Sequence, residues 1–146
     1  MSELAGRLAI EAAGTALRRH AGGRELLIGG VPGVPATRIV VIGGRVVGTH
    51  AAGLGAEVTI LERSIRGVER FEGRVRARFS TMDAVEEEVF AADAVIGAVL
   101  VPGASAKCVS RDMLSSMGEG SVIVVVAIDQ NGCFDTPRQT THADPT

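Results

Sequence analysis

Apolar residues in this chain follow two spacings. Short β-branched blocks at residues 39–42, 57–61, 75–79, 94–98 and 122–127 read as strands. Between them, residues 46–54, 65–71, 82–90 and 110–117 carry apolar positions at helical spacing. The last of these has Ser110 placed as a cap and Asp112 in its first turn. Several of the strand blocks are apolar throughout rather than alternating, the mark of strands covered on both faces. Such strands, alternating with helices, imply an α/β fold with a parallel sheet. Right-handed crossovers make it doubly wound, in the order 3-2-1-4-5. Two crossovers, residues 43–56 and 62–74, are short against a lower limit of about 10–12 residues.

Ahead of the first strand, residues 2–19 read as a helix. Leu4, Leu8 and Ala12 form its apolar face, with Ala5, Ala9 and Ala16 nearby, and Arg7, Glu11 and Arg18 are expected elsewhere. Ser2 suits the N-cap, Glu3 suits the positive end of the helix dipole, and Gly22-Gly23 ends the helix. Residues 29–35, rich in Gly and Pro, form a turn-rich connector. The expected division is residues 1–35 as linking helix and connector, and residues 36–146 as the sheet domain.

The chain has 146 residues, 46% apolar and 22% charged, enough for one domain with a core. Net charge is -2 and aromatics are 3%, so neither the basic footprint nor the stacking platform of a nucleic-acid binder is present. The longest apolar runs, 94–101 and 122–128, are too short to span a bilayer. The N-terminus lacks the pattern of a signal peptide, so the expected location is cytoplasmic. Cys108, Cys133, His20, His50 and His142 make no disulfide framework and no metal-ligand spacing.

Chemistry concentrates after the strands. The first strand runs into Gly43-Gly44-Arg45-Val46-Val47-Gly48, close to the G-x-G-x-x-G turn of a Rossmann-like dinucleotide-binding unit, with Arg45 where the middle glycine belongs. Gly43 would permit the sharp turn. Gly48 would let the helix pack closely on the sheet, its N-terminal N–H groups facing a pyrophosphate. An ordinary strand–helix turn uses glycine too. Glu62 ends the second strand about 20 residues on, where an acid accepts hydrogen bonds from the adenosine ribose and repels a 2′-phosphate. That favours NAD over NADP, although Arg63 alongside would suit a 2′-phosphate. Val99 and Leu100 follow the fourth strand and would either flank a nucleotide or pack in the core. Asp129, a lone acid after an apolar strand, suits substrate or nicotinamide contact, or a turn.

On these residues the chain resembles the central NAD-binding domain of NAD-dependent alanine dehydrogenase, a relative of the proton-translocating transhydrogenase nucleotide domain. The matching pieces are residues 1–7, 29–35, 47–49 and 53–56. With them go VIGAVLVPG at 95–103 and VAIDQNGCF at 126–134, the two most specific. The resemblance implies an oxidoreductase that converts L-alanine, water and NAD to pyruvate, ammonia and NADH. By position it implies cofactor contacts at Ser2, Glu62, Ser80, Val99, Leu100, Ala127, Ile128 and Arg138, with Asp129 as the family's catalytic aspartate. Departures from the family pattern are Arg45, His50, Pro137, Gln139 and about one helical turn, ~3.6 residues, missing after Ala52, with a similar loss around Gly67.

The family's substrate-holding domain has no counterpart among these residues. Two functions are therefore weighed. One is the cofactor half of an alanine dehydrogenase, inactive alone and using L-alanine or pyruvate only with a substrate domain supplied. The other is a non-catalytic dinucleotide-binding or interaction module. Either would expose an apolar interdomain face that favours homo-oligomers or other association.

Overall fold

The computed structural model describes residues 3–18, 22–23, 25–43, 45–62, 75–97 and 111–125. Along the chain these form α1 (Glu3–Ala16), β1 (Arg38–Ile42), α2 (Arg45–Gly53), β2 (Glu57–Glu62) and β3 (Val75–Phe79). Then follow α3 (Met82–Ala91), β4 (Ala94–Gly97), α4 (Arg111–Ser116) and β5 (Val122–Val125). The strands make one parallel sheet in the order β3-β2-β1-β4-β5, as the sequence pattern implies. The helical pattern at 65–71 lies outside the described residues, as do the last positions of the expected fourth and fifth strands.

β1 sits centrally. Ile42 is level with Leu61 on one side and Gly97 on the other. Residues Ile39, Val40, Val41 and Ile42 are all buried, which is why this strand reads as an unbroken apolar run. Ile39, Val41, Val58, Ile60 and Ile96 face a layer made by α1 and α2, through Ala9, Ile10, Ala13, Leu17, Ala51 and Ala52. Val40, Ile42, Leu61 and Val95 face the opposite layer, where α3 supplies Ala84, Val85 and Val89, and Met113 of α4 packs against it.

The connector is held at both ends. Buried Thr37 donates through Oγ1 to the Leu27 carbonyl (2.7 Å) and through its amide to that of Ile28 (3.1 Å). Val31 and Val34 form a small antiparallel bridge around Pro32-Gly33, the turn expected there.

The face of α1 corrects the sequence reading. Leu4 and Leu8 are 69% and 51% exposed, and Ala12 is exposed with Arg7 and Glu11. The buried stripe is Gly6, Ala9, Ile10, Ala13 and Leu17. Small residues along that stripe let the helix axis approach α2 and the sheet, which leucines at the same positions would hold off. The α-helix also ends at Ala16, earlier than expected. The chain then turns through Gly22 at φ 87°, with the Gly23 amide donating to the Arg18 carbonyl (3.0 Å).

Edge strand β3 is polar on its α3 side. Arg76 donates through Nη2 to both oxygens of Glu88 (2.8 and 2.9 Å), and through Nε and Nη2 to Thr59 Oγ1 (3.3 and 3.1 Å). Arg78 donates through Nη1 to Glu88 (2.8 Å) and Glu87 (3.0 Å). These bonds, to Glu88 first, hold the Arg78 guanidinium above the ordinary arginine pKa. The Glu88 side chain is only 9% exposed, so two arginines satisfy a carboxylate that could not be buried alone. The network ties α3 to the outer strands.

Two stability predictions follow from this packing. Glu88→Ala should lower unfolding free energy by about 1–3 kcal/mol, the cost of stranding buried donors, whereas Glu87→Ala, whose side chain is 71% exposed, should stay within ~0.5 kcal/mol. Denaturant melts of the two variants check the contrast. At Gly48, an added Cβ would fall 2.8 Å from Ile60 Cγ1 and nearer still to Cδ1. Overpacking of about 1–3 kcal/mol should outweigh the gain of ~1 kcal/mol from replacing a helical glycine. Gly48→Ala should therefore destabilise, and adding Ile60→Val, which removes Cδ1, should restore part of the loss in the same melts.

Candidate functional site

Because every strand runs the same way, the C-terminal ends of β1, β2 and β3 lie along one edge, where ligands bind in open α/β sheets. The ends are stitched by backbone hydrogen bonds. The Gly43 amide donates to the Leu61 carbonyl (3.0 Å), and the Ser80 amide donates to that of Glu62 (2.7 Å). Gly43, Glu62 and Ser80 are thus brought to one line. Gly43 is exposed, and Glu62 and Ser80 are half-buried.

Gly43 leaves β1 at φ 76°, a left-handed conformation that side chains disfavour. α2 then starts at Arg45, so its N-terminus opens beside this turn. Its first turn holds no acid, unlike those of α3 and α4, which carry Asp83 and Asp112. The positive end of its dipole is left for an external anion. Arg45 has helical backbone geometry, so its position does not demand glycine for φ, contrary to one expectation drawn from the fingerprint. Gly48 does not line the edge. It lies within α2 and lets the helix settle onto Ile60 and Val58.

After Ser80 the chain enters α3 through Thr81, whose Oγ1 accepts from the Ala84 amide (3.1 Å). The sequence reading passed over this cap, although Thr81 two residues before Asp83 and just ahead of a helical pattern is the usual signal. Since the Ser80 amide is already engaged, only the hydroxyl of Ser80 is left for a ligand. Ser2, Val99, Leu100, Ala127, Ile128, Asp129 and Arg138 lie outside the described residues, as do Cys108 and Cys133. β4 and β5 carry the chain to the same edge at Gly97 and Val125, immediately ahead of the segments holding Val99, Leu100 and Ala127–129.

An open cleft of about 250 Å3 lies elsewhere, among Arg38, Glu57, Thr59, Arg76, Arg78 and Glu88. It borders the strand beginnings rather than the strand ends, and its charges are paired within the protein. Among the described residues, no cluster of His, Cys, Asp and Glu could hold a metal ion, and no helix is long and apolar enough to cross a membrane.

The sequence profile of the family described as Alanine dehydrogenase/PNT, C-terminal domain matches residues 9–146. The chain belongs to this family. Among curated relatives of this alanine dehydrogenase/PNT domain, those from Halomonas elongata and Mycolicibacterium smegmatis are 55% and 47% identical, and both are named alanine dehydrogenase. Each comparison covers all of this chain but 42% of the relative. They run over 155 positions, so the relatives carry residues that this 146-residue chain lacks, in keeping with the helical losses read from the sequence. A solved L-alanine dehydrogenase superposes on 98% of this chain at TM-score 0.90 and 41% identity, again with 42% of that structure matched. A transhydrogenase from Sinorhizobium meliloti follows at 0.75 and 28%. The family and the Rossmann-like fold together imply a nicotinamide cofactor.

The turn residue carries a direct test. Gly43→Ala should cost about 1–2 kcal/mol for the left-handed conformation, and Gly43→Asn, which tolerates it, should cost less. Equal stabilities for the two variants in urea melts would show that the turn relaxes to another geometry.

Proposed function

We propose that this chain is the NAD-binding part of an alanine dehydrogenase, acting in the oxidative deamination of L-alanine to pyruvate and ammonia, and inactive by itself. The observation carrying this is the edge where Gly43, the N-terminus of α2, Glu62 and Ser80 meet, on a chain matched at 0.90 by an L-alanine dehydrogenase against 0.75 by a transhydrogenase.

Bound NAD would supply the hydride acceptor. The α2 N-terminus and the Gly43 turn would receive its pyrophosphate, and Glu62 would accept from the adenosine ribose hydroxyls while repelling a 2′-phosphate. The Ser80 hydroxyl would add a contact next to Glu62. The resemblance adds Ser2, Val99, Leu100, Ala127, Ile128 and Arg138 to the cofactor set, and assigns Asp129 the catalytic role near the nicotinamide. Oriented reactants are the condition for this chemistry, and Asp129 alone does not position alanine. Residues 36–146 would form the nucleotide domain, with residues 1–35 as its linking helix and connector, in a cytoplasmic enzyme.

Calorimetric titration tests the reading. NADH should bind with micromolar affinity and NADPH at least tenfold more weakly. Glu62→Gln should weaken NADH by about 10-fold or more, the worth of a charge-assisted hydrogen bond, and narrow the preference over NADPH. Arg45→Gly should tighten NADH by relieving crowding at the pyrophosphate. Undetectable NADH binding by both the chain and the Arg45→Gly variant would overturn the proposal.

A further inference from the structure

α1 is apolar on two sides. Its inner stripe of Gly6, Ala9, Ile10, Ala13 and Leu17 is consumed by the core, yet Leu4 and Leu8 stand 69% and 51% exposed on the opposite side, with Ala12 continuing the stripe at four-residue spacing. Arg7 and Glu11 flank it, giving an apolar strip with a polar margin. A helix apolar on both sides is ordinarily enclosed between two bodies. Here only one is accounted for.

The position of the strip says what the second body is. The family domain begins at residue 9, whereas α1 starts at Glu3 and runs unbroken to Ala16. Leu4 and Leu8 therefore sit on the part of the helix that projects beyond the matched domain, and more than half of each relative's length lies outside the match. We infer that the Leu4–Leu8–Ala12 face docks the polypeptide that precedes this domain in the longer relatives, an inference that rests on the alanine dehydrogenase reading. A second copy of this chain fits less well. Two crossed α1 helices would bury this short strip twice, well under the ~800 Å2 per partner of a stable interface. A folded body laid along the helix covers the flanking surface as well.

The test uses the 146-residue chain, its Leu4→Ser/Leu8→Ser variant, and the separately produced part of the Halomonas elongata alanine dehydrogenase that lies ahead of the matched region. The chain should bind that polypeptide, and the variant should bind it at least tenfold more weakly while keeping the parent's melting temperature and NADH affinity. Equal binding by chain and variant, or no binding by the chain, overturns the inference. Concentration-dependent dimers in light scattering that vanish in the variant would also overturn it, by assigning the face to a second copy. The NADH titration is read separately. Docking without NADH binding supports the surface while overturning the dinucleotide reading, and NADH binding without docking does the reverse.

Discussion

The close approach of α2 to β2 at Gly48 governs the geometry of the candidate site. Only a residue without a side chain lets that helix lie on Ile60 and Val58. The depth at which α2 lies sets where its first turn stands relative to Gly43, and hence where the open end of its dipole meets the strand edge. The turn and the helix start work as one unit because a buried, incompressible contact fixes them from below.

The same layer explains the behaviour of α1. That helix shares its core with α2 and the sheet, and its small-residue stripe makes the fit close. Burying alanines rather than leucines gives up apolar area, about 25 cal/mol per Å2. The geometry compensates by bringing backbones together and leaving the larger side chains for a surface beyond this domain. Across the sheet, α3 is held differently, by the Glu88 carboxylate between two arginines of edge strand β3. One layer is thus fixed by steric fit and the other partly by charge, and the edge carrying Glu62 and Ser80 lies between them.

Much of the candidate site was legible from residue types. A glycine at a strand end is informative because φ 76° excludes most alternatives, and an acid closing the next strand is informative because the backbone period places it beside that glycine. Thr81 was equally readable as a cap. The inward face of α1 was not. Leu4, Leu8 and Ala12 obey the same spacing as Ala9, Ala13 and Leu17, and periodicity alone cannot rank two apolar faces of one helix.

The sequence by itself determined the order of the elements, the parallel doubly wound sheet, the glycine turn and the family, since these depend on local periodicity, turn chemistry and motif. Tertiary structure decided which side of α1 is buried, that Gly48 serves packing rather than ligand contact, that Arg45 needs no glycine-like backbone, and that Glu88 is held by Arg76 and Arg78. Each of those depends on what another element brings within a few ångströms, and that distance is a property of the packed layers rather than of any single stretch of chain.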